Sequence, residues 1–293
     1  MATLRHIVAS MRPQQWIKNL FLCAALVFSG NLFHPDALLS VAFGFVIFSA
    51  GASGIYILND ITDLEKDKMH PEKSRRPLPS GALSVSSAAI SALLLMAASI
   101  GCSFLLGTGF GYVMTGYIGI NILYSFYLKH VVILDVMTIS AGFVLRVLGG
   151  AVIIGVPTSE WLIICTILLS LFLGFSKRRH ELTVLEAQAT NHRSVLEQYT
   201  PYFLDQMIGI VTASTVMSYA LYTISEETVR KFGTNKLIYT VPFVLYGIFR
   251  YLYLVHRKVE GGNPTKIAVT DLPLLVNMVL WILTATVIIY GRQ

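Results

Sequence analysis

The residues best suited to chemistry lie in one polar stretch, Asn59 to Gly81, which follows 22 residues that carry no charge. If the helix of that apolar run continues past Leu58, a turn of about 100° per residue places three carboxylates and one amide on one face. They are Asn59, Asp60, Asp63 and Asp67, with Tyr56 on the same arc. Carboxylates this close together repel one another and favour a bound cation. Mg²⁺ is the natural candidate, because it binds through a few carboxylates plus substrate phosphates.

Basic side chains follow these carboxylates, with Lys73 and Arg76 placed to bind an anion. The planar guanidinium of an arginine suits phosphate through two parallel hydrogen bonds. The alternative is an ordinary charged loop between two membrane helices, which carries Lys and Arg for orientation alone. That alternative accounts for the basic residues but not for the aligned carboxylates.

Two further groups of polar residues follow apolar runs. Lys177, Arg178 and Arg179 come shortly before Glu181, and three cations with a carboxylate at a helix end suit a phosphate-bearing ligand and a partner that orients it. Tyr124 and Lys129 close another apolar run, where a hydroxyl and an ammonium could both reach a phosphate. The alternatives are membrane-orienting charges for the first group and interfacial anchors for the second.

Arg146 differs from the other cations because it lies inside an apolar run. Gly142, Gly149 and Gly150 lie within four positions of it. An arginine at that depth is costly unless it is paired, so it is a functional candidate. The glycines allow close helix packing around it. The alternative is a purely structural ion pair.

The elements that must position these residues are membrane helices. The 293 residues are 55% hydrophobic and 13% charged, about half the charge of a soluble domain. Apolar runs of spanning length recur along the chain and predict an all-α polytopic membrane protein with one domain over residues 1–293. The nine predicted spans are 17–34, 37–59, 84–106, 109–128, 132–154, 159–177, 203–225, 237–256 and 271–290.

The distribution of Lys and Arg predicts the orientation. Sixteen of the 22 lie at the N-terminus or in the loops after the even-numbered spans, and four lie on the opposite side. This bias predicts a multi-pass protein of the inner (plasma) membrane, with the N-terminus and the polar loops in the cytoplasm. It also accounts for the net charge of +6 without a nucleic-acid partner. The three cysteines show no metal-binding or disulfide spacing.

The pattern Asn59-Asp60-x-x-Asp63-x-x-x-Asp67 followed by Arg76-Pro77 resembles the first Asp-rich motif of the UbiA-type intramembrane prenyltransferase superfamily. The resemblance implies nine transmembrane helices around a central cavity that opens to the cytoplasm and to lipid. Typical members carry a second Asp-rich motif in the loop after helix 6. This chain has Ser176-Lys177-Arg178-Arg179-His180-Glu181 there.

With this basic segment in place of the second Asp-rich motif, the chain resembles the decaprenyl-phosphate phosphoribosyltransferase branch of the superfamily. The same branch is indicated by Arg12-Pro13-x-Gln15-Trp16-x-Lys18-Asn19, His70-Pro71-x-Lys73-x-x-Arg76-Pro77, Tyr124-Ser125-x-x-x-Lys129 and Gly142-Phe143-Val144-Leu145-Arg146. The branch implies transfer of 5-phosphoribose from phosphoribosyl diphosphate to a polyprenyl phosphate, with Mg²⁺ as cofactor and diphosphate as leaving group.

The resemblance also implies roles for single residues. Those expected to be catalytic are Asp60, Asp63, Asp67 and Arg146, and those expected to bind metal are Asn59, Asp60, Asp63 and Asp67. Those expected to bind substrate are Lys18, Tyr56, Asn59, Lys73, Arg76, Tyr124, Lys129, Lys177, Arg178 and Glu181. Because a phosphate monoester is already anionic, the reaction needs positioning and charge stabilisation rather than a general base.

Two other functions compete with this interpretation. A prenyltransferase would move a prenyl group from a prenyl diphosphate to an aromatic or other acceptor, but the second Asp-rich motif is missing. A lipid-phosphate transporter would carry cavity charges in both halves of the membrane, whereas the charge clusters here lie on one side. The sequence leaves open the chain length of the lipid, the pathway (cell-wall arabinan or another glycan) and whether the protein is a homo-oligomer.

Overall fold

The computed structural model describes residues 2–69, 73–186, 195–257, 267 and 270–291. Every regular element in those ranges is a helix, which confirms the predicted all-α class. The α-helices are α1 Ala2–Ser10, α2 Cys23–Phe28, α3 Pro35–Thr62, α4 Leu64–Lys68, α5 Val85–Leu105, α6 Thr108–Phe126, α7 Leu134–Ile153, α8 Glu160–Glu186, α9 Pro201–Ile224, α10 Glu226–Phe232, α11 Val241–Arg257 and α12 Leu272–Tyr290. His70 and Pro71 of the predicted motif lie outside the described residues.

Seven of the described helices are long and apolar enough to cross a membrane: α3, α5, α7, α8, α9, α11 with the short 3-10 helix before it, and α12. They match predicted spans and confirm a polytopic membrane protein. The predicted span 109–128 corresponds to α6, which is long enough at 19 residues but is diluted by glycines, tyrosines and Asn121. The count of nine spans stays a prediction.

The predicted span 17–34 is wrong as a continuous helix. The chain instead forms a ten-residue 3-10 helix, Pro13–Leu22, followed by the six-residue α2. The 3-10 helix packs so closely on α7 that a Cβ added to Gly150 would lie on the carbonyl oxygen of Leu22. Its polar side chains bond to α3, with Trp16 Nε1 donating to Ser53 Oγ at 3.0 Å. Tertiary contacts therefore hold this segment, rather than its own helical periodicity.

The described helices fall into two compact units, and α1 to α7 form the first. Its core includes the fully buried Leu22, Phe48, Ile55 and Met114. A run of small residues in α3 lets α5 approach closely, since a Cβ on Gly54 would lie 2.9 Å from the carbonyl oxygen of Ala92. Close packing through small residues is the usual way in which membrane helices associate.

The second unit comprises α8 to α12. Aromatic residues fill its interior, where the rings of Phe172 and Tyr251 meet edge to face at 5.3 Å. The Tyr219 hydroxyl lies 2.7 Å from Thr240 Oγ1 and accepts from Trp281 Nε1 at 2.9 Å. These bonds tie α9 to α12 and to the 3-10 helix Lys236–Thr240. The assignment of one domain to the whole chain stays a prediction.

Candidate active site

The polar stretch after Leu58 is not one continuous helix, so the expected straight stripe of carboxylates is wrong. α3 ends at Thr62, Asp63 leaves the helical conformation at φ −101° and ψ 9°, and α4 begins at Leu64. The helix is interrupted at this residue, and Asp60 and Asp67 both pair with Arg76 while Asp63 pairs with Lys129. The carboxylates are therefore separated into two groups by their ion-pair partners.

Asp60 and Asp67 converge on one atom of Arg76. Its Nη1 lies 3.0 Å from Asp60 Oδ1 and 2.9 Å from Asp67 Oδ2. Lys73 Nζ lies 3.6 Å from Asp67 Oδ1. Both carboxylates are buried, at 2% and 4% exposed, so these cations offset a large desolvation cost. Burial lowers the pKa of Arg76, and the nearby Arg12 lowers it further, whereas Asp60 and Asp67 raise it.

Arg12 is a site residue that the list of expected binding residues omits. Its guanidinium forms an ion pair with Asp60 and lies 5.5 Å from the centre of the Tyr56 ring. Its backbone is left-handed, at φ 53° and ψ 62°, where the chain turns from α1 into the 3-10 helix that begins at Pro13. A left-handed conformation is costly for a residue other than glycine and is often found at functional sites. The Arg12-Pro13 pattern was the available signal.

Asp63 forms a second group with Lys129. Lys129 Nζ lies 2.7 Å from Asp63 Oδ1 and 3.3 Å from Thr62 Oγ1, and the lysine is 5% exposed. Asn59 is also engaged with this side, since its Oδ1 accepts from Ser125 Oγ at 2.6 Å. Tyr124, next to Ser125, is half-buried. The C-terminal ends of α3 and α6 therefore bring together three expected residues, Asn59, Asp63 and Lys129.

Arg146 is buried in the first unit at 5% exposed, and its partners are neutral. Its guanidinium donates to Asn19 Oδ1 at 2.8 Å, to the Gly142 carbonyl at 2.7 Å and to the Tyr117 hydroxyl at 2.9 Å. The rings of Phe48, Tyr117 and Phe143 surround it at 4.8 to 5.5 Å. Among the described residues, no carboxylate lies within ion-pair distance of this cation, so its charge is not balanced locally.

The second unit carries the basic group within α8, which continues five residues beyond Glu181, so the expected position at a helix end is wrong. Arg178 is 1% exposed and forms an ion pair with Glu181, while Lys177 Nζ lies 3.7 Å from Glu181 Oε1. Lys177 is half-buried, so its ammonium can reach a ligand more easily than Arg178 can. The next residue, Arg179, points to α9 instead and bonds to Asp205 at 2.9 Å. Glu181 thus orients both of the expected binding cations.

The ion pairs of Asp60 and Asp67 indicate where a metal ion could bind. In the part of the chain that the structure describes, no three His, Cys, Asp or Glu side chains are arranged to hold one metal ion. Asp60 and Asp67 do converge on a single positively charged atom, however. Two carboxylates supplemented by phosphate oxygens and water are a donor set that suits Mg²⁺. Asn59 and Asp63 face other partners, and their metal role stays a prediction. Lys18 and Tyr56 are half-buried.

The sequence matches the model of the UbiA prenyltransferase family over residues 20–268. It is 35% identical over 290 residues to the decaprenyl-phosphate phosphoribosyltransferase of Corynebacterium glutamicum, covering 97% of this chain and 86% of that relative. It is 32% identical over 295 residues to the protein of the same name from Mycolicibacterium smegmatis, covering 97% and 92%.

The fold is similar to that of a UbiA homologue from Archaeoglobus fulgidus, solved with GPP and Mg²⁺. The TM-score is 0.72 at 19% identity, and the match covers 97% of this chain and 99% of that one. At this identity the likeness concerns the fold alone. The sequence relatives extend over nearly the same length, so the family match and the fold match concern the same region.

Proposed function

This chain belongs to the UbiA prenyltransferase family, and we propose that it transfers 5-phosphoribose from phosphoribosyl diphosphate to a polyprenyl phosphate. The observation that carries the proposal is a segment within α8, where Lys177, Arg178 and Glu181 stand in place of the second Asp-rich motif expected of prenyl-diphosphate enzymes. Cations there suit a donor with an additional phosphate, such as the 5-phosphate of ribose. The full-length relatives named decaprenyl-phosphate phosphoribosyltransferase support the same assignment.

The proposed reaction is a displacement at C1 of ribose. An oxygen of the lipid phosphate forms a bond to C1 while the bond from C1 to the diphosphate oxygen breaks, and diphosphate leaves. Both reactants are anions, so the protein must neutralise charge and hold the two centres together. No proton has to be removed, because the attacking phosphate monoester is already ionised.

The residues divide this work between them. Mg²⁺, which Asp60 and Asp67 would hold, would neutralise charge on the leaving diphosphate. Arg76 and Lys73 lie beside these carboxylates and are the natural ligands of the same diphosphate. Lys177 and Arg178 would bind the ribose 5-phosphate. Arg146 and Lys129 remain the candidates for the lipid phosphate, together with the Tyr124 hydroxyl.

The assay is direct. The purified protein, in liposomes with decaprenyl phosphate and Mg²⁺, should convert phosphoribosyl diphosphate labelled in the ribose into label that extracts with the lipid. Geranyl diphosphate with an aromatic acid should give no prenylated product. Prenylation without any ribose transfer would contradict the proposal and favour the ordinary prenyltransferase reaction.

A substitution tests the role of α8. Lys177→Glu should raise the KM for phosphoribosyl diphosphate about tenfold or more, because it reverses a charge beside the proposed 5-phosphate site, while the KM for the lipid stays within about twofold. Lys231→Glu, at an exposed position of α10, is the matched control and should change neither value. An equal rise in both KM values for Lys177→Glu would remove Lys177 from the donor site.

A further inference from the structure

We propose that the ion pairs around Asp60 and Asp67 couple the binding of a divalent cation to the binding of a diphosphate. Each ligand then binds weakly alone and more tightly when the other is present. The residues concerned are Arg12, Asp60, Asp67, Lys73 and Arg76, here called the Asp60 cluster. The inference rests on the proposed function only for the identity of the diphosphate as leaving group.

The carboxylates of the Asp60 cluster are already neutralised by the protein itself. Two carboxylates face three cations, and the carboxylate side chains are only 3% and 6% exposed. A buried carboxylate loses its hydration and depends on such partners. Any incoming cation therefore competes with a cation that is already in place.

The competition is strongest at one point. Arg76 Nη1 lies within 3.0 Å of an oxygen from each carboxylate, which is the position where the two carboxylates converge. A cation that binds both carboxylates must displace this guanidinium. Once displaced, Arg76 has no carboxylate partner and lies close to the new positive charge, so the cation alone binds poorly.

A diphosphate on its own meets the converse problem. Arg12, Lys73 and Arg76 are the cations that could bind it, and each of them is paired with Asp60 or Asp67. The anion would have to separate these pairs while approaching two carboxylates. When both ligands arrive, the carboxylates pass to the cation and the basic side chains pass to the diphosphate. Every charge is then paired, and each ligand favours the other to the same extent.

Arg12 is the best residue with which to test this exchange. Its left-handed backbone and its contact with the Tyr56 ring fix its side chain beside Asp60, and it lies 28% exposed at the edge of the Asp60 cluster. Removing its charge leaves Arg76 between the carboxylates, so the geometry of the convergence point is retained. The remaining cluster then has two cations for two carboxylates, which should favour metal and disfavour diphosphate.

The experiment measures Mn²⁺ binding to the whole protein by electron paramagnetic resonance, with pyrophosphate as the second ligand. In the wild type we expect Mn²⁺ to bind about tenfold or more tightly with saturating pyrophosphate than without it, after subtraction of the Mn²⁺–pyrophosphate complex formed in protein-free buffer. Equal Mn²⁺ affinity with and without pyrophosphate would overturn the proposal.

Substitution of Arg12 should have opposite effects on the affinity for Mn²⁺ alone and on its enhancement by pyrophosphate. Arg12→Met should tighten Mn²⁺ binding alone by about fivefold and should reduce the enhancement by pyrophosphate by a similar factor. Arg12→Lys keeps the charge and should retain the wild-type pattern. Lys68→Met is the matched control, because Lys68 pairs with the exposed Glu65 at 2.7 Å, and it should change neither value.

Weaker Mn²⁺ binding in Arg12→Met would contradict the exchange and would assign Arg12 a purely structural role. If Arg12→Met does not fold, the wild type and Arg12→Lys decide the question through the pyrophosphate enhancement alone. Because neither ligand is the ribose donor, these titrations can fail while the transferase assay succeeds, or the reverse.

Discussion

At the scale of single residues, Asp67 is the most informative carboxylate. Asp67→Asn keeps the shape of the side chain but removes the charge beside Arg76 and Lys73. We expect kcat/KM to fall about a hundredfold or more, because charge on the leaving diphosphate is no longer balanced, and the Mg²⁺ concentration for half-maximal rate to rise. Steady-state rates over a Mg²⁺ titration measure both effects.

The control for this substitution is Glu65→Gln, two residues earlier in α4. The Glu65 side chain is 80% exposed and pairs with Lys68, so its loss should change the rate by less than about twofold. Wild-type activity that persists in EDTA would refute a role for Asp67 in metal binding.

Arg146 supports a second prediction at this scale. Arg146→Met removes a buried charge and leaves the Asn19 amide oxygen and the Tyr117 hydroxyl without their donor, so we expect a loss of stability of about 1–3 kcal/mol. If the unbalanced charge attracts the lipid phosphate, the KM for polyprenyl phosphate should rise more than the KM for the ribose donor. Arg146→Lys should retain part of the activity.

Thermal unfolding and the two KM values separate the possible roles of Arg146. A rise in the KM for the donor alone would assign Arg146 to the phosphoribosyl pocket. Lower stability with unchanged kinetics per folded molecule would make the residue structural.

Candidate site residues could be predicted from the sequence where residue type and position make them stand out. Residues whose role depends on partners far away in the chain were missed. Asp60 and Asp67 stand out because carboxylates are rare beside an apolar run. Arg12 did not enter the list, because its partner Asp60 lies 48 positions away in the chain. The bond from Arg146 to Asn19 spans 127 positions, and no local pattern could reveal it.

At the scale of elements, the close contact between the Pro13–Leu22 helix and α7 gives a third prediction. Gly150→Ala places a Cβ on the Leu22 carbonyl oxygen, so the two segments must move apart. We expect a loss of about 1–3 kcal/mol in stability, measured as a lower Tm in detergent. Gly116→Ala in α6 is the control: a Cβ there meets open space, so stability should hold or rise slightly. An unchanged Tm for Gly150→Ala would disprove the contact.

Hydropathy located the long apolar helices because their length and composition are local properties. It failed for residues 17–34, where an apolar composition accompanies a 3-10 helix and a short α-helix. It also could not show the break at Asp63, since the residues on both sides are compatible with a helix. The interruption there accompanies the pairing of Asp63 with Lys129, a partner 66 positions away in the chain.

At the scale of the whole molecule, the charge bias predicts which loops face the cytoplasm. With the three native cysteines replaced by alanine, Ser80→Cys should react with an impermeant maleimide in inside-out vesicles, and Asn235→Cys should react in right-side-out vesicles. Both positions are exposed, so a lack of labelling would reflect the side of the membrane rather than burial. The reverse pattern would invert the orientation and place the Asp60 cluster outside the cell.

The division of residues 13–28 into a 3-10 helix and the short α2 has a consequence for biogenesis. A nascent helix can settle in the bilayer by itself only if it has about 20 apolar residues, and neither Pro13–Leu22 nor α2 is that long. The groups that hold this segment, Ser49, Ser53 and Gly150, leave the ribosome after it does. Docking of this segment can therefore begin on α3 but is complete only after α7 has been made. Chains truncated before Leu134 should be degraded by membrane quality-control proteases faster than chains truncated after Ile153, which pulse–chase labelling would measure.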